Sequence, residues 1–92
     1  MISFEWDSDK AASNLDKHSV SFLEAVSAYA DPLSLTIFDP DHSLGEDRFL
    51  LLGMSTFQRL LVVSHTDRGG TIRIISARKA NRNEWRQYKY RH

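Results

Sequence analysis

Hydrophobic residues recur along this chain with two different periods, and the changes of period divide it into strands and helices. The opening segment ISFEW alternates apolar and polar residues, which predicts a short strand. The segments DSDKAASNLDKH and SVSFLEAVSAYADP follow, with apolar residues three and four positions apart, as in amphipathic helices. In the first helix Ala11 and Leu15 are expected to face the core. In the second, Pro32 is expected to end the helix, because the residue before a proline avoids helical geometry.

Four further strands are predicted after the second helix: LSLTIF, RFLLLGMS, RLLVVSHT and TIRIISA. The two middle segments are almost continuously apolar, which is typical of strands buried on both faces. The short segment TFQ between them predicts a hairpin. The segment DRGG predicts a second hairpin, since glycine adopts positive φ without a steric clash.

The last segment, RKANRNEWRQYKYR, predicts a C-terminal helix rich in arginine and lysine. Arg78, Arg82 and Arg86 have the spacing that forms a ridge along one helix face. The element order is therefore β-α-α-β-β-β-β-α. This order indicates an α+β fold with an antiparallel sheet packed by helices. The chain has 92 residues, which are enough for one domain, residues 1–92.

Net charge is zero over the whole chain, but the two halves differ strongly. Residues 1–47 contain ten acidic residues and two lysines, whereas residues 48–92 contain ten basic residues and two acidic ones. The acids could neutralise the bases within the fold. If part of the basic set stays unpaired, it forms a surface suited to phosphates or to an acidic protein.

Several classes of protein are excluded or disfavoured by composition. The chain has no cysteine, so disulfides and thiolate metal sites are excluded. The N-terminus does not read as a signal peptide, and the apolar runs are too short to cross a bilayer, so a cytoplasmic protein without membrane contact is expected. The histidines show no regular spacing with acidic residues, and neither a metal site nor a cofactor is expected.

Arg73 lies within the apolar strand TIRIISA and needs an anionic partner or contact with water, because burying an unpaired guanidinium is costly. Strict alternation predicts that Arg73 and Ile75 point to one side of the strand, and Ser76 to the other. Two interpretations stay open. Arg73 either pairs with an acid of the N-terminal half such as Glu46, or forms a phosphate-binding fork in an open groove.

Other candidate residues carry similar alternatives. Lys17 and His18 end the first helix, where a histidine commonly caps carbonyl groups but can also transfer protons near neutral pH. Lys79, Arg82 and Arg86 either form a solvated helix face or, with the nearby aromatic residues, an RNA-binding or protein-docking surface.

Several motifs taken together closely resemble the BrnT toxin family: FEWDSDKAASNLDKHSVSFLEA, then EDR, then RLLVVSHT and IRIISARKANRNE. The resemblance implies a RelE-like ribonuclease fold and a toxin of a type II toxin–antitoxin pair that cuts RNA without a metal and so inhibits translation. It implies a BrnA-like antitoxin as partner, which contacts operator DNA through its own ribbon-helix-helix segment. A toxin dimer inside a heterotetramer would fit this biology.

The resemblance also assigns candidate catalytic positions: Lys17, His18, Glu46, Arg48, Arg73, Ser76 and Arg78. In metal-independent RNA cleavage the 2′-hydroxyl attacks the adjacent phosphate and leaves a 2′,3′-cyclic end. Glu46 or His18 could transfer the protons, the cationic residues could hold phosphates, and Ser76 could donate a hydrogen bond. Arg73 and Arg78 are expected to converge on the scissile phosphate. The alternative function is a non-catalytic basic module that binds an acidic protein or nucleic acid.

Overall fold

The computed structural model describes residues 2–90 and contains three α-helices and five strands in the predicted order. In chain order these are β1 (Ser3–Glu5), α1 (Ser8–His18), α2 (Phe22–Ala28), β2 (Leu35–Phe38), β3 (Phe49–Met54), β4 (Leu60–Arg68), β5 (Thr71–Lys79) and α3 (Arg82–Lys89), with a short 3-10 helix at Pro40–His42. The predicted α+β fold is therefore confirmed. Arg91, included in the predicted last helix, lies outside the described residues.

The five strands form one sheet in the order β1-β5-β4-β3-β2. Strands β2 to β5 pair as the predicted antiparallel meander, and the turn between β4 and β5 uses Gly69 and Gly70, with φ of 60° and 93°. Strand β1 instead pairs parallel to β5, through the register Ser3 with Thr71 to Glu5 with Arg73. The sheet is thus mixed but mostly antiparallel, and β1 joins at the edge where the last strand lies.

Strand β5 carries a bulge in its pairing with β4. Ser64 pairs with Ser76, but the next residue of β4, His65, pairs with Ile74. Ile75 is therefore the extra residue on β5. Beyond such a bulge the alternation of side chains shifts by one position. Odd-numbered residues before Ile75 therefore point to the same face as even-numbered residues after it.

The bulge brings residues to one face that strict alternation would separate. Directly opposed residues of antiparallel strands point to the same side of the sheet. Three opposed pairs share this face: Thr66 with Arg73, Ser64 with Ser76, and Val62 with Arg78. The prediction that Arg73 and Ser76 point to opposite sides was therefore wrong, because a sequence pattern does not reveal the extra residue.

The two faces of the sheet differ in what covers them. We call the first the covered face, because helix α2 packs on it with Phe22, Ala25 and Ala28; its buried sheet residues are Leu51, Leu61, Val63, Ile74 and Ala77. We call the other the open face. Its residues include Leu50, Leu52, Val62, Ser64, Thr66, Arg73, Ser76 and Arg78, and helix α3 packs across one end of it through Tyr88.

Helix α1 lies beside the edge of β5 that the short strand β1 leaves free. The Asn14 side chain donates hydrogen bonds to the carbonyls of Val20 and Ala77, both at 2.9 Å, and accepts one from the Ala77 amide at 3.0 Å. This polar residue is buried, whereas Leu15, predicted to face the core, is 52% exposed. The prediction failed because the backbone groups at a sheet edge need a polar partner.

Helix α3 begins later than the sequence pattern indicated. Pairing with β4 keeps the chain extended as far as Lys79, and Asn81 then caps the helix in a capping box with Glu84. Arg78 is therefore a strand residue, and the expected ridge of three arginines on one helix reduces to Arg82 and Arg86. None of the helices in the described part of the chain is both long and apolar enough to cross a membrane.

Candidate functional site

Two adjoining pockets lie where the open face meets the edge of β5. The first, which we call the basic pocket, is lined by Lys10, Leu44, Glu46, Arg48, Thr66, Arg68, Arg73 and Ile75. The second, which we call the edge pocket, is lined by Lys10, Ser13, Asn14, Lys17, His18, Ile75 and Ser76. Lys10 and Ile75 line both, so the two pockets adjoin.

The local fold explains why α1 contributes to this site. Asn14 fixes α1 beside Ala77, so the side chains that α1 directs past the β5 edge reach Ile75 and Ser76. The left-handed residue Ser19 (φ 57°) ends the helix just after Lys17 and His18. Both side chains are thereby held at the edge pocket.

Glu46 belongs to the loop before β3, and its carboxylate accepts two hydrogen bonds from Arg68, at 2.7 and 2.9 Å. The hydrogen bond from Arg68 is the main reason that the pKa of Glu46 lies below its usual value, with Arg48 and Arg73 adding to the effect. Glu46 is thus an anion near neutral pH. It can accept a proton but has none to give.

Arg73 projects from β5 and is only loosely paired. Its Nη1 lies 3.5 Å from an Oε2 oxygen of Glu5, and both side chains are partly exposed. The expected partner Glu46 pairs with Arg68 instead. A single long contact leaves most of the five guanidinium N–H donors available to a ligand.

Arg78 shares the open face with Arg73 but lies at the other end of it. The positions opposite them on β4, Thr66 and Val62, are four residues apart, which is about 13 Å along a strand. The Arg78 guanidinium forms a two-point ion pair with Glu84, with both distances 2.8 Å, and this hydrogen bonding raises its pKa. The geometry therefore does not bring Arg73 and Arg78 together at one phosphate.

The three predicted RNA-binding residues also separate. Lys79 pairs with Leu61 and so points toward the covered face, away from both pockets. Arg82 and Arg86 are exposed on α3, and neither lines the basic or the edge pocket. No group of three or more histidine, aspartate and glutamate side chains within residues 2–90 is arranged to hold a metal ion.

Sequence reasoning missed Lys10, Thr66 and Arg68 as members of this site. Lys10 falls in a polar helix, Arg68 in the predicted DRGG turn, and Thr66 in an apolar strand, and none of these settings suggests chemistry. For Thr66 the signal is the strand register and not the sequence: Thr66 is opposite Arg73 on β5, and Arg48 lies just before β3 on the other side of β4.

Comparisons with known proteins agree on one kind of protein. A family model described as "Ribonuclease toxin, BrnT, of type II toxin-antitoxin system" matches residues 6–84. The crystal structure of the Brucella abortus ribonuclease toxin BrnT is similar to this fold, with a TM-score of 0.65 and 19% sequence identity, covering 89% of this chain and 100% of that one. No curated protein matches the sequence. At this identity the structural match supports the fold, and the family match covers most of the chain.

Proposed function

This chain belongs to the BrnT family of ribonuclease toxins of type II toxin–antitoxin systems, and we propose that it is a metal-independent endoribonuclease whose active site is the joined basic and edge pockets. The reaction we propose is attack of an RNA 2′-hydroxyl on the adjacent phosphate. The O2′–P bond forms, the P–O5′ bond breaks, and a 2′,3′-cyclic phosphate results.

The observation that carries this proposal is the meeting of residues that are far apart in the sequence. Six of the seven candidate catalytic residues line the two adjoining pockets: Lys17, His18, Glu46, Arg48, Arg73 and Ser76. The sequence separation between the first and the last of them is 59 residues. Arg78 is the exception, and we assign it to the docking of α3 through Glu84 rather than to catalysis.

The proton transfers divide between two groups on opposite sides of the site. Glu46, ionised in the basic pocket, takes the proton of the 2′-hydroxyl. His18, in the edge pocket, donates a proton to the departing 5′-oxygen, since imidazole is the side chain that changes charge near neutral pH. The scissile phosphate then lies at the junction lined by Lys10 and Ile75.

Cationic and hydroxyl donors stabilise the negative charge that develops on the phosphate. Arg73 lines the basic pocket and Lys10 lines both pockets, while Lys17 and Ser76 line the edge pocket. Donors aimed at developing charge in a site of reduced solvent are each worth about 3 kcal/mol of barrier, or a hundredfold in rate.

A toxin of this type has a protein antitoxin as its partner, and we propose that the partner here is a BrnA-like DNA-binding protein. In that arrangement cleavage of cytoplasmic RNA inhibits translation until the antitoxin binds, and operator DNA is contacted only through the antitoxin. The exposed cations Arg82 and Arg86 on α3 are available to guide RNA or the antitoxin toward the site. A toxin dimer within a heterotetramer completes the proposal, and co-purification of the two proteins with measurement of the complex mass tests it.

The enzymatic proposal is tested with the purified chain, a chelator and a defined RNA. We expect fragments ending in cyclic phosphate, identified by mass spectrometry. The matched control is the same RNA with a single 2′-deoxy nucleotide at the cut position, which should stay intact at that position because the nucleophile is missing. The variant His18→Ala should lose most of the activity while folding normally.

Two results would contradict the proposal. Cleavage of the 2′-deoxy substrate at the same position would exclude 2′-hydroxyl attack. Salt-sensitive RNA binding with no cleavage under any of these conditions would favour the alternative function, a non-catalytic basic module.

A further inference from the structure

Thr66 stands out as a polar group that the fold buries without satisfying. The residue is 2% exposed, and its hydroxyl has no hydrogen-bond partner within residues 2–90. Leaving a buried hydroxyl unpaired is costly, and most such groups in proteins are paired. Thr66 lines the basic pocket, so the unpaired group lies beside a site that is rich in cations.

The strand register puts this hydroxyl between two arginines. Thr66 is directly opposite Arg73 on β5. On its other side β3 begins with Phe49, which pairs with His65, so continuing the same register by one residue brings Arg48 beside Thr66. Arg73 on β5 and Arg48, in the segment just before β3, therefore flank the buried hydroxyl, and all three residues line the basic pocket.

The basic pocket holds more positive charge than its own carboxylates neutralise. Its cations are Lys10, Arg48, Arg68 and Arg73, and Glu46 is the acidic residue in its lining. Glu5, outside the lining, makes one 3.5 Å contact with Arg73. Arg48 and Lys10 have no carboxylate within 4 Å among the described residues.

The Glu46–Arg68 pair is exposed and can be exchanged for another anion. The two side chains are 42% and 50% exposed, and water screens such pairs strongly, so they hold the chain weakly. The Glu46 carboxylate accepts hydrogen bonds from two N–H groups of Arg68. Two oxygens of a phosphate accept from the same pair of groups in the same way. Glu46 thus occupies a guanidinium fork whose geometry also matches a phosphate group.

We propose that the basic pocket is a phosphate-group site in which Thr66 and the guanidinium groups of Arg48, Arg68 and Arg73 bind the phosphate oxygens, and in which the incoming phosphate displaces Glu46 from Arg68. A tetrahedral phosphate presents oxygens in several directions, which suits donors that come from β4, from β5 and from the segment just before β3. The source of the phosphate is RNA, an identification that rests on the proposed function. In that setting the site holds the phosphate next to the scissile one and releases Glu46 to accept a proton.

The site is tested by titrating the protein with inorganic phosphate at low ionic strength and following backbone amide NMR shifts. Thr66→Val removes the hydroxyl and keeps the shape, so binding should weaken about tenfold while stability is unchanged or higher. Thr36→Val, on the exposed edge strand β2, is the matched control and should bind as the natural protein does. Thr66→Ser keeps the hydroxyl and should retain binding, which guards against a packing effect of the valine.

Two further variants test the displacement. Arg68→Gln should weaken phosphate binding by at least about tenfold, because a charge-assisted fork is lost. Glu46→Gln removes the competing carboxylate and should tighten binding several-fold. Equal affinity of Thr66→Val and the natural protein for phosphate would overturn the site, and weaker binding by Glu46→Gln would overturn the displacement.

An uncleavable 2′-O-methyl oligonucleotide distinguishes the source of the phosphate. If RNA is the source, Thr66→Val and Arg68→Gln weaken oligonucleotide binding as well, and inorganic phosphate competes with it. If these variants lose inorganic phosphate yet bind the oligonucleotide normally, the pocket takes free phosphate and its role toward RNA is overturned. None of these measurements requires cleavage, so an inactive protein would refute the proposed enzyme without affecting this result.

Discussion

The ion pair between Glu24 of α2 and Arg59 has a buried carboxylate, whereas the ion pair in the basic pocket is exposed, yet both pairs contain the same two chemical groups. The Glu24 side chain is only 1% exposed. Its carboxylate accepts a hydrogen bond of 2.9 Å from the Nε of Arg59 and one of 2.7 Å from the Ser55 hydroxyl. Glu46 accepts two hydrogen bonds from Arg68 with both side chains largely in water. Arg59 also donates to the Ser19 carbonyl, so it ties the β3–β4 turn to the end of α1.

Burial decides what each pair does. Water cannot replace the partners of a buried carboxylate, so breaking the Glu24 pair destabilises the folded state. An exposed pair exchanges its partner for solvent or for another anion at little cost. The Glu24 pair therefore holds elements together on the covered side, while the basic pocket on the open face keeps charge available for ligands.

The largest expected effect tests whether chemistry is confined to the open face. Arg73→Gln should lower the RNA cleavage rate by about a hundredfold or more, because it removes donors aimed at the phosphate. Lys79→Gln, an equal loss of charge on the same strand but toward the covered face, should leave the rate unchanged. The measurement is the single-turnover cleavage rate of both variants. A similar loss in both would show that the face of the sheet does not matter and would favour the sequence-based assignment of Lys79 to RNA binding.

A smaller effect concerns how much the Glu24–Arg59 pair contributes to the free energy of unfolding. Glu24→Ala should lower the free energy of unfolding by about 2 kcal/mol, because the buried Ser55 hydroxyl and the partly exposed Arg59 guanidinium lose their partner. Glu84→Ala, which removes a partly exposed pair and one half of a capping box, should cost about 1 kcal/mol. Urea unfolding of both variants measures the difference. Equal losses would mean that burial is not what separates the two kinds of pair.

The smallest effect is a pH dependence of stability that originates on the covered side. His65 is buried, its Nδ1 is 2.6 Å from the Tyr29 hydroxyl, and burial lowers its pKa. The unfolded chain therefore binds a proton more readily, and the free energy of unfolding should fall as the pH drops below about 6.5, by at most about 1.4 kcal/mol per pH unit.

Chemical unfolding between about pH 7.5 and pH 5 measures this slope. Glu24 and Glu84 have lowered pKa values, so the stability that they contribute is present above their unfolded pKa and is lost only in more acidic solution. His65→Gln should reduce the dependence of the free energy of unfolding on pH between about pH 7.5 and pH 5. A variant that keeps the natural slope would show that the histidine is not its source.

The sequence pattern was sufficient for features that depend on neighbours in the chain. It predicted the order of elements and the two hairpins. The glycines of DRGG adopt the positive φ that their turn requires. These features are local, because helix periodicity, caps and turns involve residues within a few positions of one another.

Other features became visible only when distant segments met. The bulge at Ile75 arises from the pairing of β4 with β5 and decides that Arg73 and Ser76 share a face. The partner of Arg73 is Glu5 because β1 joins β5 in parallel, and the partner of Arg78 is Glu84 because α3 starts beyond the strand. A carboxylate can pair with any guanidinium that comes close, so charge patterns alone cannot choose among partners.

The sequence by itself thus determined the kinds of element, their order, and the set of cations and proton-transfer groups available to an RNA-cutting site. Tertiary structure alone decided which of these groups meet: Lys17 and His18 with Ser76, and Glu46 with Arg68, while Arg78 is held by α3. It also exposed Thr66 as an unsatisfied hydroxyl between two arginines. The physical reason is that secondary structure follows from short-range sterics and periodicity, whereas sites and ion pairs depend on register and burial, which are properties of the assembled sheet.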